Sequence, residues 1–168
     1  HFNSVSPLKW EFKAVTLSYG INENFEPLKK HLKEFEIPHD IIESNIFEFG
    51  KEKIRPNTTF CSFCSRMRRG YLYSYALKNG FNKLALAHHL DDAAESFFMN
   101  LGFNGALRTL APKYKAENQI VIIRPLILAR ERQIRDCAIK NEMPIINEEE
   151  SCPAKLYGGK MPTNRANT

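Results

Sequence analysis

The chain has 168 residues, 43% hydrophobic and 26% charged, the balance of one soluble globular domain with a core of its own. Lys and Arg number 24 against 19 Asp and Glu, a net charge of +5 that admits an RNA or nucleotide partner and equally fits an ordinary basic surface. Cys61, Cys64, Cys137 and Cys152 are too few and too unevenly spaced for a secreted disulfide scaffold. No signal peptide is legible and no run reaches the roughly 18 apolar residues of a membrane span, so the expectation is a cytoplasmic protein without a membrane partner. In that compartment a CxxC serves metal or catalysis more often than structure.

Taken in order, residues 12–17 form a short, partly β-branched run that predicts a buried strand ending at Tyr19-Gly20. Asn24 can cap a helix with Pro27 in its first turn, and Leu28, Leu32 and Phe35 recur at helical spacing until Pro38 closes it. Residues 39–43 predict a second strand, and 45–60 loop plus a short helix. A helix from Ser62 or Ser65 to about Lys78 carries Met67, Leu72, Tyr75 and Ala76 as its apolar stripe and stops at Asn79-Gly80. Residues 83–89 predict a strand and 91–101 a helix, followed by connection with a helical turn over 102–118. Residues 120–126 are the most β-like run, stopped by Pro125. A helix over 130–141 puts Ile134, Cys137 and Ala138 on one face, where Cys137 reads as an inert core thiol. Residues 144–146 predict a last short strand before an irregular polar tail.

Strand and helix alternate, the pattern of a doubly wound parallel sheet with helices on both faces, an α/β fold of Rossmann-like type. Ligands of such sheets sit beyond the carboxyl ends of the strands. That rule singles out Leu17, Ser18 and on to Gly20, then His88 to Asp92, and the segment after Arg124.

The chemistry-bearing segments are three. Cys61 and Cys64 fall on one side of a helix start, where backbone N–H groups favour thiolate. Zinc, an iron–sulfur cluster, a redox dithiol and two unconnected thiols all fit. Cys152, in a polar loop beside Pro153, is the plausible third thiol. Three cysteines without a clear fourth ligand suit a 4Fe–4S cluster with one open iron, and a histidine could instead complete a zinc site. Arg66, Arg68 and Arg69 follow directly, with Arg66 and Arg69 on the face of Tyr73. They form either a solvated basic face or a grip on RNA phosphates with tyrosines to stack on bases. Lys51, Lys53, Arg55, Arg108, Lys113 and Lys115 could extend it. In His88-His89-Leu90-Asp91-Asp92, Asp92 with Glu95 fits a capping box, and two acids with an imidazole also fit Mg²⁺ on a nucleotide's phosphates. Gly158-Gly159-Lys160 follows no strand and is not a phosphate loop.

The run Cys61-x-x-Cys64-Ser65-Arg66-x-Arg68-Arg69-Gly70-x-Leu72-Tyr73 resembles the cysteine segment of the TtcA-type tRNA 2-thiocytidine synthetases. His88-His89-x-Asp91-Asp92 resembles the second signature of that family and of the wider PP-loop ATPases, tRNA-lysidine synthetase among them. Arg124-Pro125-Leu126, then Arg130-Glu131 and Ile134, resembles the third. The resemblance implies an adenine nucleotide alpha hydrolase-like fold. It also implies an enzyme that adenylates a tRNA cytidine carbonyl with ATP, releases pyrophosphate, and lets sulfur displace AMP from the activated carbon. By the same resemblance Cys61, Cys64 and Cys152 hold the cluster, with Cys61, Cys64 and Asp91 catalytic. Asp91, Asp92 and His88 serve Mg²⁺–ATP, with Leu17 and Ser18 beside the nucleotide, and Arg66, Arg68 and Arg69 hold the RNA or help shield the cluster. A sulfur donor protein or sulfide is a further expected partner, and a homodimer is compatible.

The family's Ser-Gly-Gly-x-Asp-Ser loop is absent, and the chain opens at His1. The expectation is a single PP-loop domain over 1–168 without its first strand and phosphate loop, whose function belongs to the parent protein, with 148–168 as a tail bearing the third cysteine. A zinc-stabilised RNA-binding module and a metal-dependent hydrolase using His88, Asp91 and Asp92 are the competing classes.

Overall fold

The structure, a computed structural model, describes residues 7–8, 10–21, 23–53 and 59–145. Cys152, the acidic run at 148–150, the glycines at 158–159 and Arg55 lie outside the described residues. The chain divides into two compact units, His1–Arg69 with Pro144–Thr168, and Gly70–Met143.

In the first unit β1 (Ala14–Leu17) pairs in parallel with β2 (His39–Ile42), Ala14 opposite His39 and Leu17 opposite Ile42. Val15, Thr16, Ile41 and Ile42 supply the β-branched side chains that suit a pleated surface. Two cross-strand pairs hold the register, Thr16 Oγ1 to His39 Nε2 at 2.9 Å and Lys13 Nζ to Asp40 Oδ2 at 3.0 Å. Parallel strands need a crossover, and α1 (Glu26–Glu34) is that crossover. The N-cap is Phe25 rather than the expected Asn24, whose Oδ1 accepts the Glu26 N–H at 3.0 Å from one residue earlier, and Pro27 sits in the first turn. Its predicted stripe is shorter than expected. Leu28 and Leu32 are half-buried, but Phe35 is 64% exposed because the helix has ended at Glu34 and Glu36 turns to φ +53°.

From β2 the chain enters α2 (Ile46–Lys53), whose Ile46 and Phe47 are buried, and then α3 (Phe60–Lys78). Gly50 is the contact between them. A Cβ there would meet the Phe60 ring at 2.5 Å, so the ring lies directly on the α2 backbone. Phe47 and Phe63 flank it, with centroids 5.9 and 6.4 Å from that of Phe60.

In the second unit β5 (Val121–Ile123) lies between β3 (Lys83–Ala85), parallel to it, and β4 (Lys113–Lys115), antiparallel. The fold is α/β with parallel pairing, as the alternation predicts, but β4 was not foreseen. The predicted connection over 102–118 contains a strand, and the preceding helix α4 (Leu90–Asn104) runs three residues past the expected Leu101 before Gly105 takes the left-handed conformation at φ +59°. Ile120, Ile122 and Ala76 form the core, with Tyr73, Phe81, Leu84, Leu86 and Tyr114 packed against them. The sheet's β4 edge shows Lys113 and Lys115 to solvent.

The last helix is α5 (Glu131–Lys140). Cys137 on it is exposed, so the expectation of a core thiol is wrong: only Ile134 and Ala138 turn inward, and the hydrophobic face is narrower than the sequence pattern implies. Residues 144 and 145 form no strand.

Candidate active site

The carboxyl end of β1 is held from several directions. Leu17 and Ser18 are buried. The Ser18 N–H donates to the Ile42 carbonyl at 2.9 Å, and Ser44 Oγ donates to the Ser18 carbonyl at 2.5 Å. The chain then turns at Gly20, φ +79°, where a Cβ would meet the Ser44 carbonyl oxygen at 2.7 Å; only glycine fits. Glu23 closes the turn. Its Oε2 accepts from Ser18 Oγ at 2.7 Å and from the Tyr19 N–H at 2.9 Å.

The start of α3 presents the two cysteines. Thr59 caps it, its Oγ1 accepting the Ser62 N–H at 3.2 Å. Cys61 is exposed and Cys64, one turn on, is buried. Arg66, Arg68 and Arg69 are exposed. The Arg68 guanidinium and Cys64 both lie close enough to act electrostatically on the Tyr19 phenol. Burial pushes the Tyr19 phenol up, against the opposing pull of the Arg68 guanidinium. Tyr73, offered by the sequence as a stacking platform for bases, is instead packed on the core of the second unit, its hydroxyl 3.4 Å from that of Tyr114.

In the second unit His89 is the residue before α4, and the predicted Asp92–Glu95 box is not the one formed. The His89 N–H donates to Asp92 Oδ2 at 2.9 Å, and the Asp92 N–H reaches His89 Nδ1 at 3.4 Å. The acid at the third helical position therefore serves as the returning partner, a role the sequence reading gave to Glu95. Asp91 has a different task. Its Oδ2 accepts the Glu131 N–H at 2.7 Å, so it caps α5, and that hydrogen bond holds its carboxyl below the ordinary carboxylate value. A cavity of about 500 Å³ in this unit is lined by His88, Asp92, Glu95, Ser96, Met99 and Phe103 among others. Arg124, at the end of β5, is buried with its guanidinium on the Ala111 carbonyl and over the Tyr114 ring.

Cys64 and Arg68 are thus gathered with Tyr19 and Glu23, two residues the sequence reading did not assign. Tyr19 stood within the strand-end window; Glu23 gave no sequence signal, because a carboxylate clamping a turn has no fixed spacing. His88, Asp91 and Asp92 form a second set in the other unit. Among the described residues no three His, Cys, Asp or Glu side chains gather as a metal site. The donors do suit a thiophilic centre in kind: two thiols one turn apart at a helix N-terminus, one of them exposed, beside a guanidinium that offsets thiolate charge.

Parallel strands joined by helices, with polar residues at their carboxyl ends, define an α/β domain of the kind that takes ligands at its strand ends. Residues 3–154 match the model of the PP-loop domain family, and the chain belongs to it, with the adenine nucleotide alpha hydrolase-like fold. Among curated relatives it is similar to the tRNA-cytidine(32) 2-sulfurtransferase of Pseudomonas putida (strain GB-1), 40% identical over 164 residues, which are 95% of this chain and 57% of that protein. The enzyme of the same name from Geobacter metallireducens is 38% identical over 143 residues, 84% of this chain and 56% of that one. Among solved structures it is similar in fold to the U34-tRNA thiolase NcsA from Methanococcus maripaludis with its 4Fe–4S cluster. That match has a TM-score of 0.63 at 22% identity and covers 85% of this chain and 53% of that one. The chain spans a little over half the length of the curated relatives it matches.

Proposed function

We propose that this chain carries the PP-loop part of an ATP-dependent tRNA sulfurtransferase, an enzyme that adenylates a cytidine carbonyl of tRNA, releases pyrophosphate and replaces the activated oxygen with sulfur. The observation that carries the reading is the pairing of Cys61 and Cys64 at the head of α3 with Arg68 beside them, in a domain whose family uses ATP and whose relatives thiolate tRNA. A carbonyl oxygen is a poor leaving group and an adenylate a good one, so activation must precede sulfur attack.

Each residue then has a task. Arg66, Arg68 and Arg69 are exposed along one helix and hold tRNA phosphates, which guanidinium groups meet in bidentate fashion. Leu17 and Ser18 wall the nucleotide at the end of β1. Asp91 and Asp92 each commit one oxygen to a backbone N–H. They are the proposed ligands of Mg²⁺ carried on the phosphates of ATP. His88 faces the cavity beside Asp92. Cys61 and Cys64, with Cys152, are the proposed ligands of a 4Fe–4S cluster, which when bound supplies an iron position for the sulfur in transit. The exposed Cys61 is the more accessible thiol to a sulfur donor protein or sulfide. A cytoplasmic, homodimeric enzyme fits this reading; no helix among the described residues is long and apolar enough to cross a membrane.

The test is nucleoside mass spectrometry of tRNA incubated with the full-length protein, ATP, Mg²⁺ and sulfide without oxygen. A gain of one sulfur for one oxygen on cytidine, dependent on ATP, is expected. ATP-independent tRNA binding with no change in nucleoside mass would instead identify a non-catalytic RNA-binding module.

A further inference from the structure

Arg124 carries a positive charge where stability alone would favour an apolar side chain. It is 8% exposed, and among the described residues no carboxylate pairs with it. Its Nη1 donates to the Ala111 carbonyl at 2.5 Å, its backbone N–H donates to the Pro112 carbonyl at 2.8 Å, and its guanidinium carbon lies 5.3 Å from the centre of the Tyr114 ring. Its Nε is buried with no hydrogen-bond partner among the described residues. A buried, incompletely bonded guanidinium is costly, so its presence asks for a use. What it secures is the loop over 108–112. Two further bonds tie that loop to α4: Thr109 Oγ1 donates to the Ala93 carbonyl at 2.5 Å, and Asn100 Nδ2 donates to the Arg108 carbonyl at 3.4 Å. Leu110, between these ties and the one to Arg124, lines the cavity along α4.

That cavity suits a flat ring with a polar edge. Its volume of about 500 Å³ is in the range that takes a nucleoside. Met99, Phe103 and Leu110 offer apolar surface, and Glu95, Ser96 and Asn100 offer hydrogen-bonding groups. Glu95, spared the capping role by Asp92, has its carboxylate available for an exocyclic amine such as that of cytosine. We propose that Arg124 is a positioning residue: by holding the Ala111 carbonyl it sets Leu110 as the wall against which the target base of the tRNA packs in this cavity. The inference rests on the proposed function and deepens it, giving the base its seat. A base that undergoes chemistry must leave its stack and be gripped on its faces and edge. A gap of about 0.5–1 Å forfeits a quarter to a half of a contact's energy, so a wall free to drift would grip poorly. Asp92 lines the same cavity, so base and activating nucleotide meet there.

The experiment compares two labelled tRNAs by fluorescence anisotropy on the full-length protein, one intact and one abasic at the cytidine that becomes thiolated. The unsubstituted protein should bind the intact tRNA about tenfold more tightly, the worth of one well-packed base. Arg124→Met should lose most of that preference while binding the abasic tRNA as before. Its melting temperature should move by less than about 4 °C, because an apolar side chain replaces a buried charge that has no carboxylate partner. Leu110→Ala, at the wall itself, should lose the preference too, and Arg124→Met added to it should cost nothing more. A merely structural arginine would lower the melting temperature and weaken both tRNAs alike. If Arg124→Met keeps the preference in full, or if the two substitutions multiply, the positioning role is overturned and the proposed function stands. If the unsubstituted protein thiolates tRNA but shows no preference for the base, the cavity is not its seat and the inference again falls alone. If it neither binds nor thiolates tRNA, the proposed function falls and takes the inference with it. Should Arg124→Met fold poorly, Leu110→Ala carries the test: an undiminished preference there overturns the proposal.

Discussion

Asp91 and Glu131 are 40 residues apart in sequence, and a 2.7 Å hydrogen bond from the Glu131 backbone N–H to the Asp91 carboxylate joins the head of α4 to the head of α5. The Leu90 N–H reinforces the junction by donating to the Ala129 carbonyl at 2.9 Å. One acid thereby caps a helix that its own helix does not contain.

The pH dependence of that link has a definite sign. The hydrogen bond from Glu131 lowers the folded-state pKa of Asp91 below its unfolded value. Its contribution is therefore whole at neutral pH and is lost as pH falls from the ordinary carboxylate value through the folded one. Asp91→Asn should be less stable than the parent at pH 7, and the gap should narrow in acid. Urea midpoints at several pH values measure it; a gap that widens on acidification would contradict the capping role.

Gly20→Ala should cost about 1–3 kcal/mol, because the new Cβ meets the Ser44 carbonyl oxygen in a backbone conformation that disfavours side chains. Chemical denaturation supplies the number. An unchanged midpoint would mean that the turn relaxes freely, and with it the anchor at Tyr19.

The two thiols should separate in their effects. Cys61→Ala, at an exposed position, should change stability by less than about 0.5 kcal/mol and abolish tRNA thiolation. Cys64→Ala, at a buried one, should lose thiolation and about 1 kcal/mol of stability as well. Thiolation at the normal rate by Cys61→Ala would remove that thiol from the chemistry.

Protein purified without oxygen should contain iron and acid-labile sulfide and be brown. Chelation under reducing conditions should bleach it and stop thiolation while leaving tRNA binding intact, since the arginines do not need the metal. Stoichiometric zinc in a colourless preparation would refute the iron–sulfur assignment.

Much of the fold was legible because strands and helices leave different periods. The β-branched runs at 14–17, 39–42 and 121–123 and the apolar spacing of α3 stand out in the sequence. What escaped was decided by long-range contact. Lys113-Tyr114-Lys115 has no strand signature of its own and becomes one only because Tyr114 finds Ile122 across the ladder. Cys137 has helical spacing but is exposed among the described residues. The cysteine, histidine–aspartate and arginine segments could be named from residue type, yet their actual partners could not. Asp92 answers His89, not Glu95, because the helix begins at Leu90, a local shift of its start, whereas Asp91 reaches forward to Glu131 and Ser44 reaches back to Ser18. The last two pairings depend on tertiary placement, which spacing along one chain does not encode.

Among the described residues β4 is paired on one side only, and it sets Lys113 and Lys115 at that rim of the sheet. Unpaired strand rims invite other chains to add on, and charged ammonium groups there make such stacking unfavourable. The two lysines, readable as extra grip for a polyanion, also act as gatekeepers. Swapping both for valine should leave the hydrogen-bonded ladder in place and turn this border into a seed for intermolecular β-aggregation.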